Sequence, residues 1–218
     1  MVSHLDRIGL LNERLTCAHC NWLTPEDIAL MGERRVTVAH NPESNQKLGS
    51  GVAPIPELLE AGVTVCLGMD GANHNDNLVM HEGMKLAALL HRPRLADRGR
   101  WVLAKHALTM ATLGGAAAMR LSGEIGRIAP GYSADLVLYD LSAPWWFPLN
   151  DPVEQLVHAE TSASVECVIA GGRILVENRR LVGFDGEAIK AEAAPMLTEI
   201  RRRNADLAEP LAQLASHF

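Results

Sequence analysis

The chain has 218 residues, 48% of them hydrophobic, with a formal net charge of −6, enough apolar material for one or two domains with a real core. Mild acidity and scattered basic residues leave no electrostatic footprint for nucleic acid, and no apolar run approaches the roughly 20 residues that span a bilayer. Four cysteines in this length do not make a disulfide framework, and Met1 to Leu11 is too polar for a secretory signal, so a cytoplasmic address is expected.

Leu5, Ile8 and Leu11 stand at helical spacing and predict a helix from Ser3 to Arg14. Leu15 to His19 is a short β-type run ending in a histidine. Thr24-Pro-Glu-Asp27 then has the form of a helix start, with Thr24 as cap, Pro25 at the first helical position and Asp27 facing the helix dipole. Arg35 to His40 repeats the pattern and ends in His40, followed by a loop rich in Asn, Ser and Gly. Pro54 to Ala61 reads as a helix stopped by Gly62.

Val63 to Leu67 is a third run, apolar and β-branched between Gly62 and Gly68, which predicts a strand buried on both faces. Asp70 follows it. An ionised carboxylate there is costly unless a metal, a cation or hydrogen bonds compensate it. Strand, His, helix; strand, His, loop, helix; strand, Asp, loop, helix: this order predicts parallel βα units that deliver a polar residue each time to one end of the sheet.

Beyond Asp70, the cluster Asn73-His-Asn-Asp-Asn77 either contacts a substrate or caps the next helix, with Asp76 or Asn77 as N-cap of a helix ending near His91. Glu82 lies on that helix. Trp101 to Met119 reads as a helix packing through Leu103, Ala107, Met110 and Ala111, with Gly114-Gly115 allowing close approach. Short strands are predicted at Ile125–Ile128, Ala134–Asp140, Val165–Ala170 and Arg173–Glu177, the last two joined through Gly171-Gly172 as a hairpin. Pro144-Trp-Trp-Phe-Pro148 covers a sheet edge or makes a subunit contact. Asp185 to His217 reads as a long amphipathic helix broken or bent at Pro195 and Pro210, its Arg201–Arg203 run a solvated face. Cys17-Ala-His-Cys20 has redox or zinc spacing. On an extended strand, however, Cys17 and Cys20 point to opposite faces and the sulfurs do not converge.

The long motif His40-Asn-Pro-Glu-Ser-Asn-Gln-Lys-Leu-Gly-Ser-Gly-Val-Ala-Pro54 resembles the amidohydrolase superfamily, as do Leu67-Gly-Met-Asp-Gly71, Asn75-Asp-Asn77, Glu82, Ala18-His-Cys20 and Gly126 to Val137. Within it they resemble the branch of methylthioadenosine/S-adenosylhomocysteine deaminases, guanine-type deaminases and triazine hydrolases. The resemblance implies an α/β fold: the last three βα units of a TIM (β/α) barrel in residues 1–122, part of a small β-sandwich in 123–184, and a C-terminal helical segment in 185–218. By the same resemblance the chain starts at the helix before the sixth barrel strand. The family's His-x-His pair, its fifth-strand histidine and the acid/base glutamate then have no counterpart here.

Residue by residue, the resemblance makes Asp70 the metal-binding aspartate of the eighth strand, which also orients the attacking water, and His19 the histidine closing the sixth, which touches the reacting group or the water. Asn73 and His74 are candidate substrate contacts. His40, Asn41 and Glu82 are candidates to brace the site from behind. The plainer readings are a satisfied core histidine for His19 and a loop cap or salt bridge for Asp70. Met69 stands where the family often has Thr or Ser, which removes one hydrogen bond near the aspartate. One divalent metal is implied, zinc before iron, together with a small heterocyclic substrate and a homo-oligomer. The implied reaction is hydrolytic deamination of a purine or related N-heterocycle, with triazine dechlorination or a non-catalytic role in binding or assembly as alternatives.

Overall fold

The computed structural model describes residues 1–207. Three parallel strands, β1 (Thr16–Ala18), β2 (Thr37–His40) and β3 (Thr64–Leu67), form one sheet in the order β1-β2-β3, with Thr16, Thr37 and Thr64 in register. Val36, Val38, Val63, Val65 and Leu67 join Ile28, Met31, Ile55 and Leu58 of the covering helices in one core. Burial on both faces does not hold throughout, because Thr64 is exposed.

The helices begin and end for local reasons. α1 (Val2–Arg7) is half the expected length, because Gly9 at φ +75 turns the chain into the left-handed region and leaves Ile8 exposed. α2 (Pro25–Glu33) has the expected cap: Asp27 N–H donates to Thr24 Oγ1 at 3.2 Å, and Thr24 N–H to Asp27 Oδ2 at 3.2 Å. The loop expected after His40 contains a helix, α3 (Pro42–Lys47), with Pro42 in its first turn. α4 (Ile55–Glu60) follows.

After β3 come α5 (Ala72–Asn75) and α6 (Met80–Leu89). Neither Asp76 nor Asn77 is the N-cap of α6, a position held by Val79 with no side-chain bond. Asp76, at φ +75, pairs with Lys47 at 2.6 Å instead, and Asn77 accepts from Val79 N–H at 3.0 Å. The expected helix at Trp101–Met119 is α7 (Ala104–Thr109), a π-type turn at Met110–Gly114, and α8 (Gly115–Ala118). Gly114 lies against the β3 backbone, where a Cβ would come within 3.1 Å of Cys66 Cα.

The second sheet is antiparallel, β4 (Leu136–Tyr139), β5 (Val165–Ala170), β6 (Arg173–Glu177) and β7 (Arg180–Leu181) in that order. Gly171 and Gly172, both at positive φ, make the β5–β6 turn. No strand forms at Ile125–Ile128, since Gly126 at φ +86 breaks the run. Between β4 and β5, α9 (Pro152–His158) packs on α6 and α7 and buries Val157. His81 of α6 reaches across: its Nδ1 lies 2.7 Å from Ser162 Oγ and its Nε2 2.9 Å from Tyr139 Oη.

Beside it Glu160, 2% exposed, accepts from Trp145 Nε1 at 3.0 Å and Trp146 Nε1 at 3.1 Å, and from the backbone and hydroxyl of Ser164. Burial alone would raise its pKa; the bonds from Ser164 and Trp145 outweigh that and hold it at about 2. The last element, α10 (Gly186–Arg203), runs unbroken through Pro195, and Arg202 and Arg203 pair with Glu199 on its exposed side. Pro210 lies outside the described residues. No described helix is long and apolar enough to cross a membrane.

Candidate functional site

β1 and β3 both end in left-handed residues that are not glycine. His19 and Cys20 follow β1 at φ +67 and +56, and Asp70 follows β3 at φ +59. Such backbone is uncommon outside glycine and gathers where surrounding structure and function hold it. The two turns aim both side chains at one point: Asp70 Oδ2 lies 3.8 Å from His19 Nε2.

Asp70 is partly exposed and well supplied with donors. Ser44 Oγ donates to Oδ2 at 2.6 Å and Gly71 N–H to Oδ1 at 2.8 Å. These bonds, Ser44 foremost, hold its pKa down at about 2, so the carboxylate is ionised throughout the physiological range. His74 Nδ1 stands 3.5 Å from Asp70 Oδ1, while Asn73 Nδ2 donates to His74 Nε2 at 3.2 Å, so Nδ1–H of His74 faces the carboxylate. His19 Nδ1 lies 2.8 Å from Asn45 Oδ1.

Ser44 and Asn45, each 1% exposed, are therefore the residues of α3 that hold the acid and the imidazole. Sequence reasoning passed over both. The signal was there in Asn41-Pro-Glu43, a proline and an acid at the start of a short helix.

His19, Asn21, Trp22, Ser50, Asp70 and His74 line a cavity of about 520 Å³. Trp22 is 84% exposed and presents an aromatic face there, its Nε1–H donating to Ser50 O at 2.9 Å and its ring lying on Gly51, where φ +109 and the close indole require glycine.

The other candidates stand further off. Asn41 Nδ2 is 3.5 Å from His19 Nδ1 and 3.3 Å from Ala39 O, and its side chain fills the space a Cβ on Gly68 would take. His40 is fully buried near His91, ring centroids 6.2 Å apart, and neither of its ring nitrogens has a hydrogen-bond partner among the described residues. Burial lowers its pKa to about 3 and that of His91 to about 4, leaving both rings neutral. Glu82 accepts from Asn77 Nδ2 at 2.7 Å and braces the turn into α6. Asn73 touches His74 and does not line the cavity.

The expectation for Cys17 and Cys20 fails in one respect. The strand does not stay extended: the left-handed turn at His19 and Cys20 brings the Cys20 thiol to 3.7 Å from Cys17 O. The two thiols interact, lowering the pKa of Cys17 to about 7 and raising that of Cys20.

Asp70 keeps lone pairs free on both oxygens, so its chemistry fits one position in the coordination of a divalent metal. It does not make a whole site. Among the described residues no group of three or more His, Cys, Asp and Glu could hold a metal ion, and a tight zinc site takes three or four donors.

The chain is similar to known proteins over most of its length. The 5-methylthioadenosine/S-adenosylhomocysteine deaminase of Syntrophomonas wolfei is 41% identical over 194 residues, which are 88% of this chain and 44% of the relative. The 5'-deoxyadenosine deaminase of Methanopyrus kandleri is 41% identical over 90% of this chain and 46% of its own length. The chain thus spans less than half the length of these relatives. Among solved structures, an adenosine deaminase from Xanthomonas campestris with bound zinc superposes with a TM-score of 0.88 at 38% identity, over 92% of this chain and 45% of that one. An atrazine chlorohydrolase from Arthrobacter aurescens complexed with zinc gives 0.82 at 32% identity, over 88% and 43%. The model of the Amidohydrolase family matches residues 1–175, and the chain belongs to that family.

Proposed function

We propose that this chain is the part of a metal-dependent aminohydrolase that carries Asp70 and His19, and that the whole enzyme hydrolytically deaminates a purine nucleoside or a related N-heterocycle. The observation that carries this reading is the 3.8 Å approach of Asp70 Oδ2 to His19 Nε2 at the ends of two strands. The names of the relatives support adenosine-type substrates.

In the same reading β1, β2 and β3 are the last three strands of a TIM barrel, with the outer edges of β1 and β3 paired to strands from outside these residues. Residues 1–122 would then belong to the barrel, 123–184 to a partial β-sandwich and 185–218 to a terminal helix.

A divalent metal, zinc or iron, when bound, lowers the pKa of its water to roughly 7. Asp70 would hold it with one carboxylate oxygen, its ionised state secured by Ser44 and Gly71. His19 faces the water or the reacting group from the opposite wall. Trp22 offers a flat apolar face to a planar ring, and His74 contacts substrate or Asp70 at the rim. The remaining metal donors come from outside the described residues.

The test is a chimera in which this chain replaces the matching part of the Syntrophomonas wolfei relative. Ammonia release from 5'-methylthioadenosine or S-adenosylhomocysteine, lost in Asp70→Asn, is the expected result. A chimera that folds and binds zinc but releases ammonia equally well with Asn at position 70 contradicts the reading. The atrazine chlorohydrolase likeness favours a second reading, dechlorination at the same kind of electrophilic ring carbon. Chloride release from a chlorotriazine, without ammonia from nucleosides, would select it.

A further inference from the structure

A chain of amides runs along the cavity wall from the Ser50 carbonyl to His19, and its direction is fixed at the far end. Ser50 O is a backbone carbonyl and can only accept. Asn21 Nδ2 donates to it at 3.1 Å, which turns Asn21 Oδ1 toward Asn45. Asn45 Nδ2 donates to that oxygen at 2.8 Å, which turns Asn45 Oδ1 toward His19 Nδ1 at 2.8 Å. An oxygen without a hydrogen meets that nitrogen, so Nδ1 must carry the proton.

Asn45 is 1% exposed, and turning its amide over would set Asn45 Oδ1 against Asn21 Oδ1, acceptor against acceptor, at a buried position. Among the described residues one rival donor faces Nδ1. Asn41 Nδ2 lies 3.5 Å from His19 Nδ1 and would suit the opposite tautomer, but it is the longer contact and is already directed at Ala39 O, 3.3 Å away.

We propose that the relay Ser50–Asn21–Asn45 holds neutral His19 as its Nδ1–H tautomer, so that Nε2 presents a lone pair to the cavity. Asn45 is then a positioning residue for the reaction. The consequence for the site is chemical. His19 Nε2 and Asp70 Oδ2, 3.8 Å apart, both act as acceptors toward whatever binds between them. That arrangement matches a proton-bearing nucleophile such as water and mismatches a carbonyl oxygen or a bare ring nitrogen. His19 therefore accepts a hydrogen bond from the water and orients it, and does not donate to the leaving group. The catalytic meaning rests on the reading of His19 as part of the reaction site; the tautomer itself does not.

The experiment is a long-range proton–nitrogen correlation spectrum of the full 218-residue chain, with His19 assigned by its loss in His19→Gln. It is taken at about pH 8.5, two units above the ordinary imidazole pKa of about 6.5. The expected result is a pyridine-type Nε2 and a pyrrole-type Nδ1 in the unaltered chain. In Asn45→Ala the tautomer ratio should move at least tenfold toward Nε2–H, and Asn45→Asp, which keeps an acceptor, should restore it. A pyrrole-type Nε2 in the unaltered chain overturns the proposal without any variant, and an unchanged spectrum in folded Asn45→Ala overturns the role of Asn45. Because no activity or metal is measured, these outcomes are independent of whether the enzyme deaminates nucleosides.

Discussion

Asp70 and His19 meet at 3.8 Å although their strands are not neighbours: β2 lies between β1 and β3. The gap closes because both chains turn left-handed at the sheet end and because one short helix, α3, sends Ser44 to the acid and Asn45 to the imidazole. Pairing across an intervening strand is what a site assembled at the carboxyl ends of parallel strands requires.

Ser44→Ala removes the largest cause of the low Asp70 pKa, so the carboxyl should titrate above its present value of about 2, toward 3.8. Because folding depresses this pKa, its stabilising contribution is present above the unfolded value and lost as pH falls through the folded one. In the variant that contribution is smaller and disappears at higher pH. Carboxyl carbon shifts followed through an acid titration measure it, and an unmoved Asp70 midpoint would contradict the assignment.

His40 and His91 predict a loss of stability that begins at higher pH than that of Asp70. Burial lowers both, to about 3 and about 4, so the unfolded chain takes up protons first as pH falls below about 6.5. Stability should therefore decline between about pH 6.5 and 4.5, above the range where Asp70 and Glu160 titrate, by up to about 1.4 kcal/mol per pH unit for each ring. Urea midpoints across this range test it; His40→Leu should flatten the slope by up to one ring's share.

Glu160→Ala should cost about 3 kcal/mol, because the indole N–H groups of Trp145 and Trp146 and the Ser164 backbone lose a charged acceptor in a buried place. Glu160→Gln, which keeps one carbonyl oxygen, should cost less. Denaturant unfolding of the two variants decides, and equal, near-zero effects would mean that water replaces the carboxylate.

Cys17 should be the first thiol to react with iodoacetamide at about pH 8, since only the thiolate attacks. Its interaction with Cys20 lowers its pKa to about 7, whereas burial raises that of Cys66. Peptide mass mapping after brief labelling gives the order. Cys20→Ala removes the thiol that donates to the Cys17 sulfur and should slow labelling at Cys17; unchanged labelling would remove Cys20 as the cause.

The parallel strands were legible because short β-branched runs ended at His19, His40 and Gly68, and Thr24-Pro25 announced α2 without help from tertiary structure. The Gly171-Gly172 hairpin was legible for the same reason, since its turn chemistry is local. What escaped depended on single backbone angles or on partners far away in sequence. Gly9 and Gly126 at positive φ cut short a helix and a strand whose apolar spacing looked sound. The thiols of Cys17 and Cys20 approach because His19 leaves the extended region, which alternation along a strand cannot reveal. Asp70 and His19 were legible as candidates, but Ser44, Asn45 and Asn21 were not. Their importance lies in contacts across about 24 to 26 residues of sequence.

The central claim is that Asp70 grips a catalytic metal whose other donors lie outside these residues, and zinc content tests it most directly. Elemental analysis of the purified chimera with the Syntrophomonas wolfei relative should find close to one zinc per chain, and its Asp70→Ala form only a small fraction of that. Equal zinc in the two proteins would contradict the claim.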